Sequence, residues 1–101
     1  MQINVSGRQL DVTPTIEEYV QKKCERLTRF YDRIQAIDVV LDKAPQGFSV
    51  EVLADVEHHD DFVAKSEHDD LYTCVDRTLD KAARQLHDWK ERIRDNRKNQ
   101  H

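Results

Sequence analysis

The sequence is poor in the residues that punctuate and staple small folds: two glycines, two prolines and two cysteines in 101 residues. Two glycines cannot build the Gly-rich loops that cradle phosphates, so that class of nucleotide site is excluded. Cys24 and Cys74 are far apart, in no CxxC spacing, and both fall among apolar positions of predicted helices. They read as buried, reduced thiols. No apolar run approaches the roughly 20 residues of a membrane span. Met1-Gln2-Ile3-Asn4-Val5 has neither the basic nor the apolar region of a secretion signal, so the cytoplasm is the expected compartment. No nucleophile–base pair and no paired carboxylates at catalytic spacing stand out, and neither enzyme activity nor a cofactor is expected. His58, His59, Asp60, Asp61 and His68 are metal-ligand types, but the first four are consecutive on a turn, where side chains diverge. A solvated loop is expected there.

What the chain has in quantity is charge, at 36% of residues against 38% hydrophobic. The length suits one domain with a single two-layer core. The net charge of −4 conceals an uneven distribution. Residues 21–34 carry +3 and residues 77–101 carry +4, whereas residues 51–76 carry −8. Attraction depends on where charge sits, so a dipolar domain can meet a polyanion with one face and turn the other away.

Residues 2–6 alternate polar and apolar, as a half-buried strand does. Thr13-Pro14 followed by Glu17 and Glu18 is a helix start. Ile16, Val20, Cys24, Leu27 and Tyr31 recur at helical spacing, which predicts a helix over 14–31. Residues 36–41 form an apolar, β-branched strand. A turn follows at Pro45-Gln46-Gly47, then an alternating strand over 48–56, a polar turn at 58–61 and a short strand over 62–66. Asp69-Asp70 opens a second helix whose apolar face runs Leu71, Val75, Leu79, Ala82, Leu86, Trp89 and Ile93. Trp89 reads as core, and Tyr72 as core edge or a base-stacking ring. Residues 94–101 have no apolar anchor and are expected to form a flexible basic tail beyond a single domain of residues 1–93.

The predicted fold is α+β, in the order β-α-β-β-β-α, with a four-stranded sheet and both helices on one face. Strands 2–4 make an antiparallel meander and strand 1 joins an edge. This is the arrangement of double-stranded-RNA-binding domains.

On the first helix Lys22, Arg26, Arg29 and Arg33, spaced 4, 3 and 4, fall opposite the apolar stripe. On the second, Arg77, Lys81 and Arg84 repeat the pattern and Arg92 returns to the same side, with Asp88 between. One such stripe is most simply a solvated helix face. Two at matching spacing, beside an acidic segment, point to a surface for phosphates, which arginine grips bidentately and lysine attracts as a point charge. Such contacts give salt-sensitive affinity and little sequence readout.

Asp42-Lys43-Ala44-Pro45-Gln46-Gly47-Phe48, Asp70-Leu71-Tyr72 and Asp80-Lys81-Ala82-Ala83-Arg84-Gln85-Leu86 resemble the ribosome hibernation-promoting factor and ribosome-associated inhibitor family, also called sigma-54 modulation proteins. Met1-Gln2-Ile3-Asn4-Val5-Ser6-Gly7 and Thr13-Pro14 match as well, so the resemblance covers nearly the whole chain. It implies the β-α-β-β-β-α fold and a non-enzymatic protein, monomeric off the ribosome. Such a protein binds the small ribosomal subunit in the tRNA and mRNA channel at the A and P sites. It silences translation and preserves idle ribosomes under stress or in stationary phase. Its rRNA-contacting positions fall on Lys23, Arg26, Arg29, Lys81, Arg84 and position 88. Asp88 departs from the usual lysine, and Arg92, one turn on, could compensate. Lys23 borders the apolar face, where a lysine can snorkel outward, so Lys22 and Lys23 compete for one role. Neither the ribosome-pairing domain of the long form nor the inhibitor's acidic tail is expected, since residues 90–101 are mostly basic. That matches the short hibernation-promoting form, which implies a separate modulation factor as partner, although Pro45-Gln46-Gly47-Phe48 is more like the inhibitor form. The rival reading is a protein–protein module acting through the acidic 51–76 segment, as a transcription-related role would need. A third is generic duplex-RNA binding.

Overall fold

The structure, a computed structural model, describes the backbone of residues 2–99 and the side chains of residues 2–93. The elements follow in the order β1 (Gln2–Arg8), α1 (Pro14–Phe30), β2 (Ile34–Ala44), β3 (Gly47–Val56), β4 (Phe62–His68) and α2 (Leu71–Asn99). They form one sheet in the order β1-β2-β3-β4. β1 pairs in parallel with β2 through the α1 crossover, and β2-β3-β4 is an antiparallel meander. The predicted element order and the edge position of strand 1 are both present.

Local chemistry sets the boundaries. Thr13, extended at φ −75° and ψ 156°, caps α1 by accepting the Ile16 amide at 3.3 Å, and Pro14 occupies the first turn. α1 ends at Phe30, because Tyr31 turns to φ −133° and ψ 83°. Asp70 caps α2, its carboxylate accepting the Thr73 amide at 2.9 Å and the Thr73 hydroxyl at 2.6 Å. β2 is longer than the apolar run 36–41. Asp42, Lys43 and Ala44 pair with Ser49, Phe48 and Gly47, so only Pro45 and Gln46 remain in the turn. Gly47 sits at φ 143°, and a Cβ there would lie 2.5 Å from the His68 carbonyl oxygen. The turn therefore requires glycine. A register shift between Ile34 and Ala36 extends the other end. The tail expectation for residues 94–101 falls outside the described side chains; the backbone of α2 runs helical to Asn99.

Both helices cover the same sheet face, α1 over β1 and β2, α2 over β3 and β4. The core between the layers is built on Val20, Cys24, Ile37, Val52, Val75 and Leu86, all fully buried. Burying each of the five aliphatic side chains among these contributes about 1.5–3 kcal/mol. Cys24 and Cys74 are buried free thiols, as expected, and burial pushes Cys24 up to about 12. Trp89 is partly buried, its ring 5.6 Å from Phe62 and 5.3 Å from His59.

Candidate nucleic-acid interface

The two helices run in the same direction, as their contacts show. Tyr19 meets Tyr72 edge-on at 4.9 Å near both N-termini. Lys23 lies 3.4 Å from Asp76 in the next turn. Tyr31 donates to the Ala83 carbonyl at 3.3 Å near the end of α1. Parallel helices on one sheet face put both basic stripes on the same outward surface.

The predicted cations are not equivalent within that surface. Arg26, Arg29, Arg77, Arg84 and Arg92 are exposed and make no hydrogen bond or ion pair among the described residues. Lys22 is exposed and, among the described residues, pairs only with Glu18, one turn away at 3.1 Å. Such an exposed pair contributes little and opens readily. Arg33 lies past the end of α1 on the turn into β2, exposed, where helical spacing no longer sets its direction. Lys23 is turned toward α2: its ammonium lies 3.4 Å from Asp76 and 5.5 Å from the centre of the Tyr19 ring. Lys81 reaches down to the sheet edge and donates to the Lys65 carbonyl at 2.9 Å. Gln85 does the same to Val63 at 3.0 Å, and Gln21 of α1 to Ile3 at 3.3 Å on the opposite edge. Helix side chains thus occupy one carbonyl on the β1 edge and two on the β4 edge, which disfavours edge-to-edge pairing there.

Two features escaped the sequence. One is the clasp in which Tyr19 donates to Asp76 at 2.6 Å, which with burial raises the phenol to about 12. The other is Phe30, 70% exposed beside the groove between the helices. Its only sequence signal was an apolar residue lying off the stripe. Tyr72 packs on Tyr19 yet remains 40% exposed.

The acidic residues 51–76 do not form one surface. Asp76 faces α1, Asp70 caps α2, and Asp60 and Asp61 lie in the β3–β4 turn. Strand pairing instead places Glu51 and Glu67 on the sheet face away from the helices, with Asp38, Asp42 and Asp55 from neighbouring strand positions. The domain is dipolar across its layers, basic over the helices and acidic behind the sheet. In the β3–β4 turn, His59 stacks on Phe62 at 4.5 Å. No group of three or more potential ligands that could hold a metal occurs among the described residues.

The family model described as "Sigma 54 modulation protein / S30EA ribosomal protein" matches residues 3–94. The chain belongs to this family. It is 39% identical to a ribosome hibernation promoting factor of Azotobacter vinelandii, over 91% of this chain and 85% of that protein. It is 30% identical to a ribosome hibernation promoting factor of Escherichia coli K12, over 93% and 98%. Among solved structures, a ribosomal subunit interface protein from Coxiella burnetii superposes with a TM-score of 0.83 at 26% identity, over 90% of this chain and 99% of that one. The N-terminal domain of Thermus thermophilus protein Y gives 0.78 at 31% identity, over 88% and 99%. The parallel helices and the mixed sheet are therefore the family's architecture, and the open arginines lie on its helical layer.

Proposed function

We propose that this protein is a ribosome hibernation factor. It binds the small ribosomal subunit through the helical layer, in the channel that tRNA and mRNA occupy at the A and P sites. A folded domain lodged there blocks both ligands, so translation stops and the idle subunit is kept intact. The protein acts as a non-enzymatic cytoplasmic monomer, alongside a separate modulation factor.

The observation that carries this reading is the set of exposed arginines, unpaired among the described residues, on two parallel helices: Arg26 and Arg29 on α1 with Arg77, Arg84 and Arg92 on α2. Guanidinium groups free of internal partners bind phosphate oxygens without first breaking a bond. The acidic sheet face favours one orientation, since it is repelled by the same phosphates. Ribosome hibernation is the named role of the bacterial relatives, which match over nearly the full length.

Co-sedimentation with purified small subunits on sucrose gradients tests the proposal. The protein is expected to migrate with the subunit at low salt and to leave it as salt rises. Arg26→Glu/Arg29→Glu and Arg84→Glu variants are expected to stay at the top. Wild-type protein that remains at the top at low salt would overturn the reading.

A further inference from the structure

Phe30 ends α1 and is 70% exposed, beside a groove of about 240 Å³ between the helices. The groove floor is apolar, made by Leu27, Leu79 and Ala83. Its rim is charged: Arg26 stands on the α1 side and Asp80 on the α2 side. These two side chains line one groove yet form no ion pair, and neither has a partner among the described residues. Asp76, the other groove carboxylate, is already occupied by Tyr19 and Lys23.

An aliphatic side chain would use the floor and leave Arg26 and Asp80 unmatched. A flat aromatic ring with a hydrogen-bonding edge and an attached phosphate would use all of them. Duplex RNA cannot offer such a ring, because its bases are stacked and paired, whereas single-stranded loops present theirs to aromatic side chains. We infer that the groove between α1 and α2 takes one unstacked nucleobase of a single-stranded RNA segment, with its ring on Phe30, a flanking phosphate at Arg26 and its edge toward Asp80. This rests on the rRNA reading above and specifies a contact within it. An ionised carboxylate only accepts hydrogen bonds. Guanine presents two adjacent donors on its Watson–Crick edge. Uracil presents one donor between two carbonyls, which the carboxylate repels. The groove therefore favours guanine over uracil.

The test uses a Phe30→Trp variant, whose new indole reports stacking by loss of fluorescence, with wild-type protein as the baseline for Trp89. It is titrated at low salt with a short unstructured RNA of mixed guanosine and uridine, with oligouridylate and with a duplex. The mixed strand is expected to quench the indole and bind more tightly than oligouridylate; the duplex is expected not to quench. Phe30→Ala should lose about tenfold or more in affinity for the mixed strand, the scale of one base–aromatic stack. Asp80→Asn should erase the guanine preference and leave oligouridylate binding intact. Equal affinity of Phe30→Ala and wild type, or equal quenching by duplex and single strand, would overturn the inference. If Phe30→Ala also co-sediments with small subunits like wild type, the groove contact fails and the ribosomal reading stands. If wild type fails to co-sediment while the mixed strand still quenches Phe30→Trp, the reverse holds.

Discussion

Tyr19 of α1 and Asp76 of α2 share a hydrogen bond of 2.6 Å, with the phenol donating and the carboxylate accepting. Lys23 approaches the same carboxylate oxygen at 3.4 Å. This three-residue clasp fixes the two helices side by side, and so fixes the spacing of the two arginine rows that the proposed RNA surface requires.

Tyr19→Phe removes the donor and is expected to cost about 1 kcal/mol, read by urea unfolding. The phenol titrates at about 12 in the folded protein, against an ordinary value of 10.0. A pKa raised by folding favours the folded state while the group is protonated. The clasp therefore contributes fully below pH 10, and its contribution is lost as pH rises through 12. In ultraviolet titration the Tyr19→Phe variant is expected to lack one late-titrating tyrosine. Loss of a tyrosine that titrates near the ordinary 10.0 instead would mean that the bond is not formed in solution.

Asp70 makes the opposite case at acid pH. Its bonds to the Thr73 hydroxyl and amide lower its pKa from 3.8. A lowered pKa stabilises the folded protein above the unfolded value and loses that effect as pH falls through the folded one. Asp70→Asn keeps an N-cap acceptor and should stay close to wild type near neutral pH, with a smaller loss of stability below pH 3.8. Asp70→Ala removes the cap acceptor and is expected to melt below wild type at neutral pH. Thermal melts of the three proteins across pH check both statements.

Salt dependence separates phosphate contacts from general charge. Neutralising Arg29 or Arg84 should make the slope of log affinity against log salt shallower by roughly one for each phosphate no longer held. Asp55→Asn on the sheet face is expected to leave the slope unchanged. A slope lowered equally by all three would place the RNA on no particular face.

Asp88 interrupts the α2 row in an exposed position between Arg84 and Arg92. Asp88→Lys turns repulsion of a nearby phosphate into attraction and is expected to tighten small-subunit binding by about 1 kcal/mol. Unchanged binding would show that this turn of α2 does not face RNA and that Arg92 need not compensate.

Much of this was readable along the chain. Thr13-Pro14 announced α1 and Asp70 the start of α2, because caps and turns are settled among neighbouring residues. The alternation in 48–56 announced a half-buried strand. The full length of β2 was not readable, since Asp42 and Lys43 are polar and extend only because Ser49 and Phe48 lie opposite them. Arg33 joined the α1 row on spacing, yet the helix ends three residues earlier. The acidic segment 51–76 read as one feature, but strand alternation and the helix start send its carboxylates in different directions.

The order of elements, their caps and the two rows of cations were set by the chain alone, because these depend on contacts and periodicities within a few residues. Core packing placed the rows side by side on parallel helices and put Asp38, Asp42, Glu51, Asp55 and Glu67 together behind the sheet. It also decided that Lys23 and Lys81 are drawn to Asp76 and to the edge of β4 while the arginines stay open. A helical wheel gives each side chain a direction but no neighbour. Partners distant in sequence meet only when the core packs, and that packing separates a cation that holds the fold from one left free for phosphate.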